Sequence, residues 1–110
     1  MNLEMNVPTI NTTVEKCPVE AVSEIIGRKW VSLIIRDLAD GSRRFGQLEH
    51  SVGVSPRILS MRLQELETDG LVSRKIFAEV PPRTEYTLTD RGRLLVPLIE
   101  TMRSIGKNLI

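Results

Sequence analysis

The single cysteine has the most reactive side chain in this sequence. Cys17 directly precedes Pro18, and because proline favours the first position of a helix, the sulfur is expected at a helix N-terminus. Unpaired N–H groups, the helix dipole and Lys16 would stabilise a negatively charged sulfur there, whereas Glu15 and Glu20 oppose this effect. Two interpretations stay open: a reactive thiolate, and a small apolar side chain packed in the interior.

Composition excludes most other chemistry. Cys17 is the only cysteine and His50 the only histidine, so neither an intrachain disulfide nor a Cys and His metal cluster can form. The sequence also has no Ser/His/Asp set and no glycine-rich phosphate loop. We therefore predict a protein that is not an enzyme and that has no catalytic residue, no metal site and no cofactor.

Length and hydropathy suit one domain. A chain of 110 residues, 41% of them apolar, can build one modest core, and oligomerisation would add buried surface. No apolar run approaches the roughly 20 residues that cross a bilayer, and residues 1–4 lack the pattern of a secretion signal. We expect a cytoplasmic protein without membrane contact, with a flexible arm at 1–16 and a folded domain at 17–110.

The net charge of +1 conceals an uneven distribution. Residues 1–27 and 63–90 are acidic, whereas residues 28–62 and 91–110 are basic. The segment 28–62 carries these cations: Arg28, Lys29, Arg36, Arg43, Arg44, Arg57 and Arg62. Such a run is often only a solvated face, so it supports a nucleic-acid partner without proving one.

Two helices joined by a tight turn are predicted where the chain passes through Gly53. Ser55 and Pro56 start the second helix, 55–69, because the hydroxyl caps free N–H groups and proline lacks an N–H that would be unpaired there. Its core face carries three leucines: Leu59, Leu63 and Leu66. Its opposite face carries four other side chains: Arg57, Ser60, Met61 and Gln64. Arg57 lies nearest the N-terminal end of this helix. In DNA-binding proteins that contain two helices joined by a tight turn, this end of the second helix enters the major groove, so these four side chains are candidates to read base edges.

Two strands and a stiff connection follow. Residues 71–77 and 84–88 alternate apolar and polar side chains, and two prolines stiffen the loop between them. Arg83 at this tip suits the minor groove, whose negative potential rises where the groove narrows. An ion pair with Glu79 or Glu85 is the alternative, and the spacing alone does not decide between the two.

Helices are also predicted on both sides of this unit. The first, 17–27, should bury a stripe of five residues: Val19, Ala21, Val22, Ile25 and Ile26. The second, 29–39, completes a scaffold, and the last, 90–109, should be kinked at Pro97. The last helix has an apolar stripe longer than a small domain can cover: Leu94, Leu95, Leu98, Ile99, Met102, Ile105 and Leu109. A second copy of the chain would cover this stripe, so we predict a homodimer.

The fold class is therefore α+β and mainly helical: a winged helix-turn-helix with a two-stranded wing and with dimerisation helices at both ends. This motif reads double-stranded DNA in the major groove. The expected DNA contacts are Lys29, Arg43, Arg44, Ser55, Pro56, Arg57, Ser60, Met61, Gln64, Lys75 and Arg83.

Several short motifs, in order along the chain, resemble the HxlR-type winged helix family of bacterial transcription regulators. The motifs are Cys17-Pro18-Val19-Glu20, Gly27-Arg28-Lys29-Trp30, Arg44-Phe45 with Leu48, Leu66-Glu67-Thr68-Asp69-Gly70-Leu71-Val72, and Glu79-Val80-Pro81-Pro82-Arg83-Thr84-Glu85-Tyr86. The resemblance spans residues 17 to about 107. It implies a homodimer on operator DNA, with helix 55–69 in the major groove and wing 75–86 alongside.

The resemblance also implies a possible signal. Some members of that family sense electrophiles or disulfide stress through the cysteine at the position of Cys17, whereas others do not. Two alternatives remain: a winged-helix module that binds an acidic protein through its basic face, and a regulator that responds to a non-covalent ligand at the dimer interface.

Overall fold

The computed structural model describes residues 16–110. Within these residues the chain forms, in order, α1 (Pro18–Ile26), α2 (Val31–Leu38), β1 (Arg43–Arg44), α3 (Phe45–Val52), α4 (Pro56–Thr68), β2 (Val72–Phe77), β3 (Arg83–Leu88), α5 (Asp90–Arg93) and α6 (Val96–Lys107). The fold is mainly helical with one small sheet, as predicted. The predicted arm, 1–16, lies outside the described residues except for Lys16. None of the helices in 16–110 is long and apolar enough to cross a membrane.

Helices α3 and α4 form the predicted helix-turn-helix. α3 ends at Gly53, whose φ of 74° lies in the left-handed region, so the chain turns there at little cost. Ser55 caps α4 by accepting a hydrogen bond from the Ile58 N–H at 3.3 Å, and Pro56 lies in the first turn. The inner face of α4 is buried as predicted, at Leu59, Leu63 and Leu66.

The sheet has the antiparallel order β1-β3-β2. β2 and β3 form the predicted two-stranded wing, in which Lys75 lies opposite Glu85 and Phe77 lies opposite Arg83. β1 adds a third strand that the sequence did not predict. It has only two residues, too few for an alternating pattern to show.

The core lies among α2, α3, α4 and the sheet. Its fully buried side chains are Val31, Ile34, Ile35, Leu38, Leu48, Leu59, Leu63 and Leu66. α1 contributes less than its sequence predicted, because none of its residues is buried and Val19 is 71% exposed. Val22, Ile25 and Ile26 pack partly against the core. The apolar face of α1 is therefore shared between the core and an open surface.

The C-terminal region differs from the single helix predicted over 90–109. The helix breaks between α5 and α6, where Leu94 and Leu95 donate to carbonyls three residues earlier, at 3.2 and 3.1 Å. The prediction of a kink at Pro97 was wrong, because the break precedes Pro97 by two to three residues. Pro97 lies in the first turn of α6, where a missing N–H leaves no hydrogen bond unmade.

Gly92 of α5 packs tightly against the start of β2 and the end of β3. A β-carbon at Gly92 would lie 2.0 Å from the carbonyl oxygen of Leu71 and 3.1 Å from the side chain of Leu88. Thr89 completes the junction by donating to the carbonyl of Gly70 at 2.6 Å and accepting from the Gly92 N–H at 3.1 Å. The start of α5 is therefore held tightly against the ends of β2 and β3.

A small charged cluster joins α2 to α3. Arg36 donates to both oxygens of Asp37, at 2.8 and 3.2 Å, and Ser51 of α3 also donates to this carboxylate. Burial alone would raise the pKa of Asp37, but the hydrogen bonds from Arg36 and Ser51 and the charge of Arg43 outweigh it and hold the pKa below its ordinary value.

We expect Asp37→Asn to lower the free energy of unfolding by about 1 kcal/mol near neutral pH, because the variant loses hydrogen bonds made to a charged group. A lowered folded-state pKa stabilises the fold above the unfolded value of about 3.9 and stops doing so as pH falls through the folded-state value. The difference between wild type and variant should therefore shrink in acid. Urea unfolding from neutral to acid pH measures this, and a difference independent of pH would contradict it.

Candidate nucleic-acid interface

The outer face of α4 is open, as the sequence predicted. Four side chains there are exposed: Arg57, Ser60, Met61 and Gln64. Arg57 is one residue inside the N-terminal end of the helix, beyond the Ser55 cap and Pro56, which are themselves exposed. The face thus presents one cation, one hydroxyl, one thioether and one amide along an otherwise unobstructed helix. This combination can donate and accept hydrogen bonds and make apolar contacts with base edges.

The cations of segment 28–62 fall into two groups. Three of them are ion-paired within the subunit: Arg28 with Glu65 and Asp69, Arg36 with Asp37, and Arg62 with Glu65. Four make no ion pair with a described residue: Lys29, Arg43, Arg44 and Arg57. The sequence sum therefore overstates the charge that this segment can offer to a phosphate backbone.

Arg43 and Arg44 lie in different surroundings, although they are neighbours in β1. Arg44 borders a shallow cavity of about 510 Å³ that it shares with the wing tip, residues 79–84. Arg43 borders another cavity, of about 440 Å³, together with Asp37 and Arg103. Alternate residues of a strand project to opposite faces, which separates the two arginines. Only Arg44 is brought next to the wing.

At the wing tip, Arg83 forms the ion pairs that were one of the two interpretations left open by the sequence. Arg83 pairs with Glu79 at 2.9 Å and with Glu85 at 3.4 Å, and its guanidinium lies 4.0 Å from the centre of the Phe77 ring. The ion-pair alternative is thus the arrangement present. Lys75 is exposed, with its Nζ 4.9 Å from the same ring.

Val80 is the most exposed apolar side chain of the wing, at 101%, and was not among the predicted contacts. Its position beside two prolines marks the tip, but a lone valine in a loop carries no signal of DNA contact. The Val80–Pro81 peptide bond is cis.

An open apolar groove runs between α1 and α6. Its volume is about 590 Å³, and its lining is Pro18, Val19, Val22, Ser23, Ile26, Gly27, Leu98 and Met102. Of the predicted dimerisation residues, Leu95 and Ile99 are buried in the subunit's own core. The others stay wholly or partly accessible: Leu94, Leu98, Met102, Ile105 and Leu109. Cys17 is exposed at the N-terminal end of α1, and the interior packing left open by the sequence does not occur within the described residues.

This arrangement of helices and wing matches a known family. The family model described as HxlR-like helix-turn-helix matches residues 25–110. The chain belongs to this family. The prediction from sequence is confirmed in both fold and family.

Individual relatives agree. An uncharacterized HTH-type transcriptional regulator of Synechocystis sp. is 41% identical over 93 residues, which cover 84% of this chain and 69% of the relative. The oxidized form of the redox regulator HypR superposes with a TM-score of 0.78 at 38% identity, covering 84% of this chain and 96% of HypR. The reduced form of YodB from Bacillus subtilis superposes with a TM-score of 0.70 at 34% identity, covering 82% of this chain and 90% of YodB. The chain is a helix-turn-helix transcription regulator that binds DNA, and it is not an enzyme.

Proposed function

We propose that this HxlR-like regulator binds a two-fold operator as a homodimer, with α4 of each subunit in the major groove and the wing alongside. The outer face of α4 carries this proposal. The helix is capped by Ser55 and its inner face is buried in the core. Its outer face is unobstructed and lined by side chains that can recognise base edges.

The proposed contacts divide into two kinds. Base-reading contacts come from Arg57, Ser60, Met61 and Gln64 on the outer face of α4. Contacts that position the protein on the backbone come from the other predicted residues: Lys29, Arg43, Arg44, Ser55, Pro56, Lys75 and Arg83. Among the latter, Arg44 and Lys75 have the strongest support, because both are exposed beside the wing and neither is ion-paired with a described residue. Arg83 would have to leave Glu79 and Glu85 to contact DNA.

The proposed dimer forms through the groove between α1 and α6. Exposed apolar side chains continue from this groove along α6, so a second copy would bury a continuous strip. The strip consists of Val19 and Val22 of α1 with Leu98, Met102 and Ile105 of α6.

Operator selection tests the proposed function. Purified protein is mixed with fragments of the source genome, and bound fragments are sequenced. We expect enrichment of one two-fold motif and an affinity that falls steeply with salt. A protein that binds all fragments alike would instead be an interaction module that uses its basic face for an acidic partner.

We further propose that Cys17 transmits a redox or electrophile signal. The thiol is exposed at the start of α1 and beside the groove proposed for dimerisation, where an added group or a bond to the partner subunit's Cys17 would alter subunit packing. The likeness to HypR and YodB, whose solved forms include an oxidized HypR and a diamide-treated YodB, supports this proposal.

Diamide treatment tests the role of Cys17. We expect diamide to weaken operator binding by wild type at least about tenfold, which is about 1.4 kcal/mol, and to leave Cys17→Ser unchanged. Binding is measured by fluorescence anisotropy before treatment, after treatment and after reduction by dithiothreitol. Equal behaviour of the two proteins would exclude a thiol switch and point to a non-covalent ligand in the groove.

A further inference from the structure

Two arginines connect the turn between α1 and α2 to the flank of α4. Arg28 donates to the carbonyl of Glu24 at the C-terminal end of α1, at 3.2 Å, and reaches across to Asp69 at 2.7 Å and Glu65 at 3.5 Å. One guanidinium thus joins the end of α1 to the last turn of α4. The hydrogen bond to Asp69 raises the pKa of Arg28, and a guanidinium is a permanent cation in proteins in any case.

The second arginine makes a connection in the opposite direction. Arg62 belongs to α4 and donates through Nε to the carbonyl of Lys29 in the turn, at 3.0 Å. Its Nη1 donates to both oxygens of Glu65, at 3.1 and 3.2 Å. Glu65 therefore receives both arginines and lies at the centre of the set. We call Arg28, Arg62, Glu65 and Asp69 the arginine clamp.

The turn that the clamp holds is conformationally strained. Trp30, which follows Lys29 and precedes α2, has a φ of 80°, a left-handed conformation that bulky residues rarely adopt. Such a conformation persists only where surrounding contacts determine it. The Arg62 bond to the Lys29 carbonyl and the partial packing of the Trp30 ring against the core supply those contacts.

The clamp also borders the reading face. Arg28, Glu65 and Asp69 line a shallow cavity of about 510 Å³ together with Met61 and Gln64. No residue of α1 is buried, and its apolar side chains pack only partly against the core, so the Arg28 bonds to Glu24 and Asp69 add a direct link between the end of α1 and α4. A change in the orientation of either helix would be resisted at the clamp.

We propose that the arginine clamp positions α4 for sequence reading, by fixing the recognition helix to the turn between α1 and α2, and that its four residues set operator selectivity without touching DNA. This proposal rests on the proposed function, since it assumes that α4 reads an operator. It also places the helix of the proposed dimer groove and the helix that reads DNA in one hydrogen-bonded unit.

Two nearby glutamates of α4, Glu65 and Glu67, provide a matched test of the clamp. Glu65→Gln weakens the clamp, and Glu67→Gln removes an equal charge from the same helix, where Glu67 pairs with Arg74 of β2 at 3.6 Å. The two carboxylates are similarly exposed, at 36% and 38%. Loss of a negative charge alone should strengthen binding to any duplex.

We expect the two variants to change operator affinity in opposite directions. Glu67→Gln should bind operator and random duplex slightly more tightly, whereas Glu65→Gln should bind the operator about fivefold more weakly and the random duplex no more weakly than wild type, a shift of about 1 kcal/mol in selectivity. Anisotropy titrations on both duplexes measure this. Parallel changes in the two variants would overturn the proposal.

A second pair of variants distinguishes positioning from direct contact. Arg28→Met and Arg74→Met each remove one ion-paired cation, and only the first acts on the clamp. We expect Arg28→Met to lose operator selectivity with no greater change in salt dependence than Arg74→Met. A salt slope lowered by about one unit in Arg28→Met alone would make Arg28 a phosphate contact and overturn the proposal. A wild type without sequence preference would instead refute the proposed function itself.

Discussion

A protein carrying both Leu98→Glu and Met102→Glu is expected to be monomeric at micromolar concentration and to lose more than about 100-fold in operator affinity. Both side chains line the apolar groove between α1 and α6, and neither belongs to the fully buried core. Two carboxylates placed there would have to be desolvated if a second subunit covered the groove, which is far more costly than leaving the groove in water.

The loss of affinity follows from symmetry. A dimer binds two half-sites at once, so the second contact forms at a high effective concentration, and a monomer gives up this advantage. Sedimentation velocity measures the oligomeric state, and anisotropy with a two-fold operator measures binding.

A control variant on the polar side of the C-terminal region separates the effect of placing charges in the groove from the effect of added charge itself. Ser104→Glu within α6 and Asn108→Glu at its C-terminal cap add the same two charges at the same spacing, and neither residue lines the groove. This variant should remain dimeric and bind the operator. Dimerisation that survives Leu98→Glu with Met102→Glu would show that the dimer interface lies elsewhere, whereas a wild type that sediments as a monomer would refute the proposed dimer.

Arg57→Ala is expected to weaken binding to the cognate operator by about 1–3 kcal/mol, which is about 5–150-fold. Arg57 makes no ion pair with a described residue and lies at the groove-entering end of α4, so its guanidinium is available for a bidentate contact with guanine. Removing the side chain should leave the fold unchanged because the residue is exposed.

The matched variant is Arg44→Ala, which removes an exposed arginine from the proposed backbone contacts. Arg44→Ala should weaken operator and random duplexes alike and lower the salt slope by about one unit. Arg57→Ala should reduce the preference for the operator. Equal losses on both duplexes would make Arg57 a phosphate contact and would place base reading on the other side chains of α4.

The helix-turn-helix and wing followed from sequence because their signals are local. Gly53 supplies the left-handed turn, Ser55 supplies the cap three residues before the N–H it binds, and the two segments predicted as strands, 71–77 and 84–88, contain most of β2 and β3. Each of these rules acts within one element.

Contacts between residues far apart in the chain could not be predicted from the sequence in the same way. Arg28 and Asp69 are 41 residues apart, so nothing in either segment shows that one neutralises the other. The same applies to the close approach of Gly92 to the Leu71 carbonyl, which joins residues 21 positions apart in the sequence. The division of the α6 stripe into core and groove residues also required the angle at which α6 packs, which hydrophobic periodicity alone does not contain.

The tight junction at Gly92 has a consequence for the DNA that such a dimer can accept. Because α5 is held against the ends of both wing strands, the chain that leads into α6 starts from a defined place beside the wing, which limits how far the wing can move relative to the proposed dimer groove. One base pair changes the separation of two half-sites by about 3.4 Å and rotates one around the axis by roughly a tenth of a turn. We therefore expect the proposed dimer to accept only a narrow range of spacings between the two half-sites of its operator.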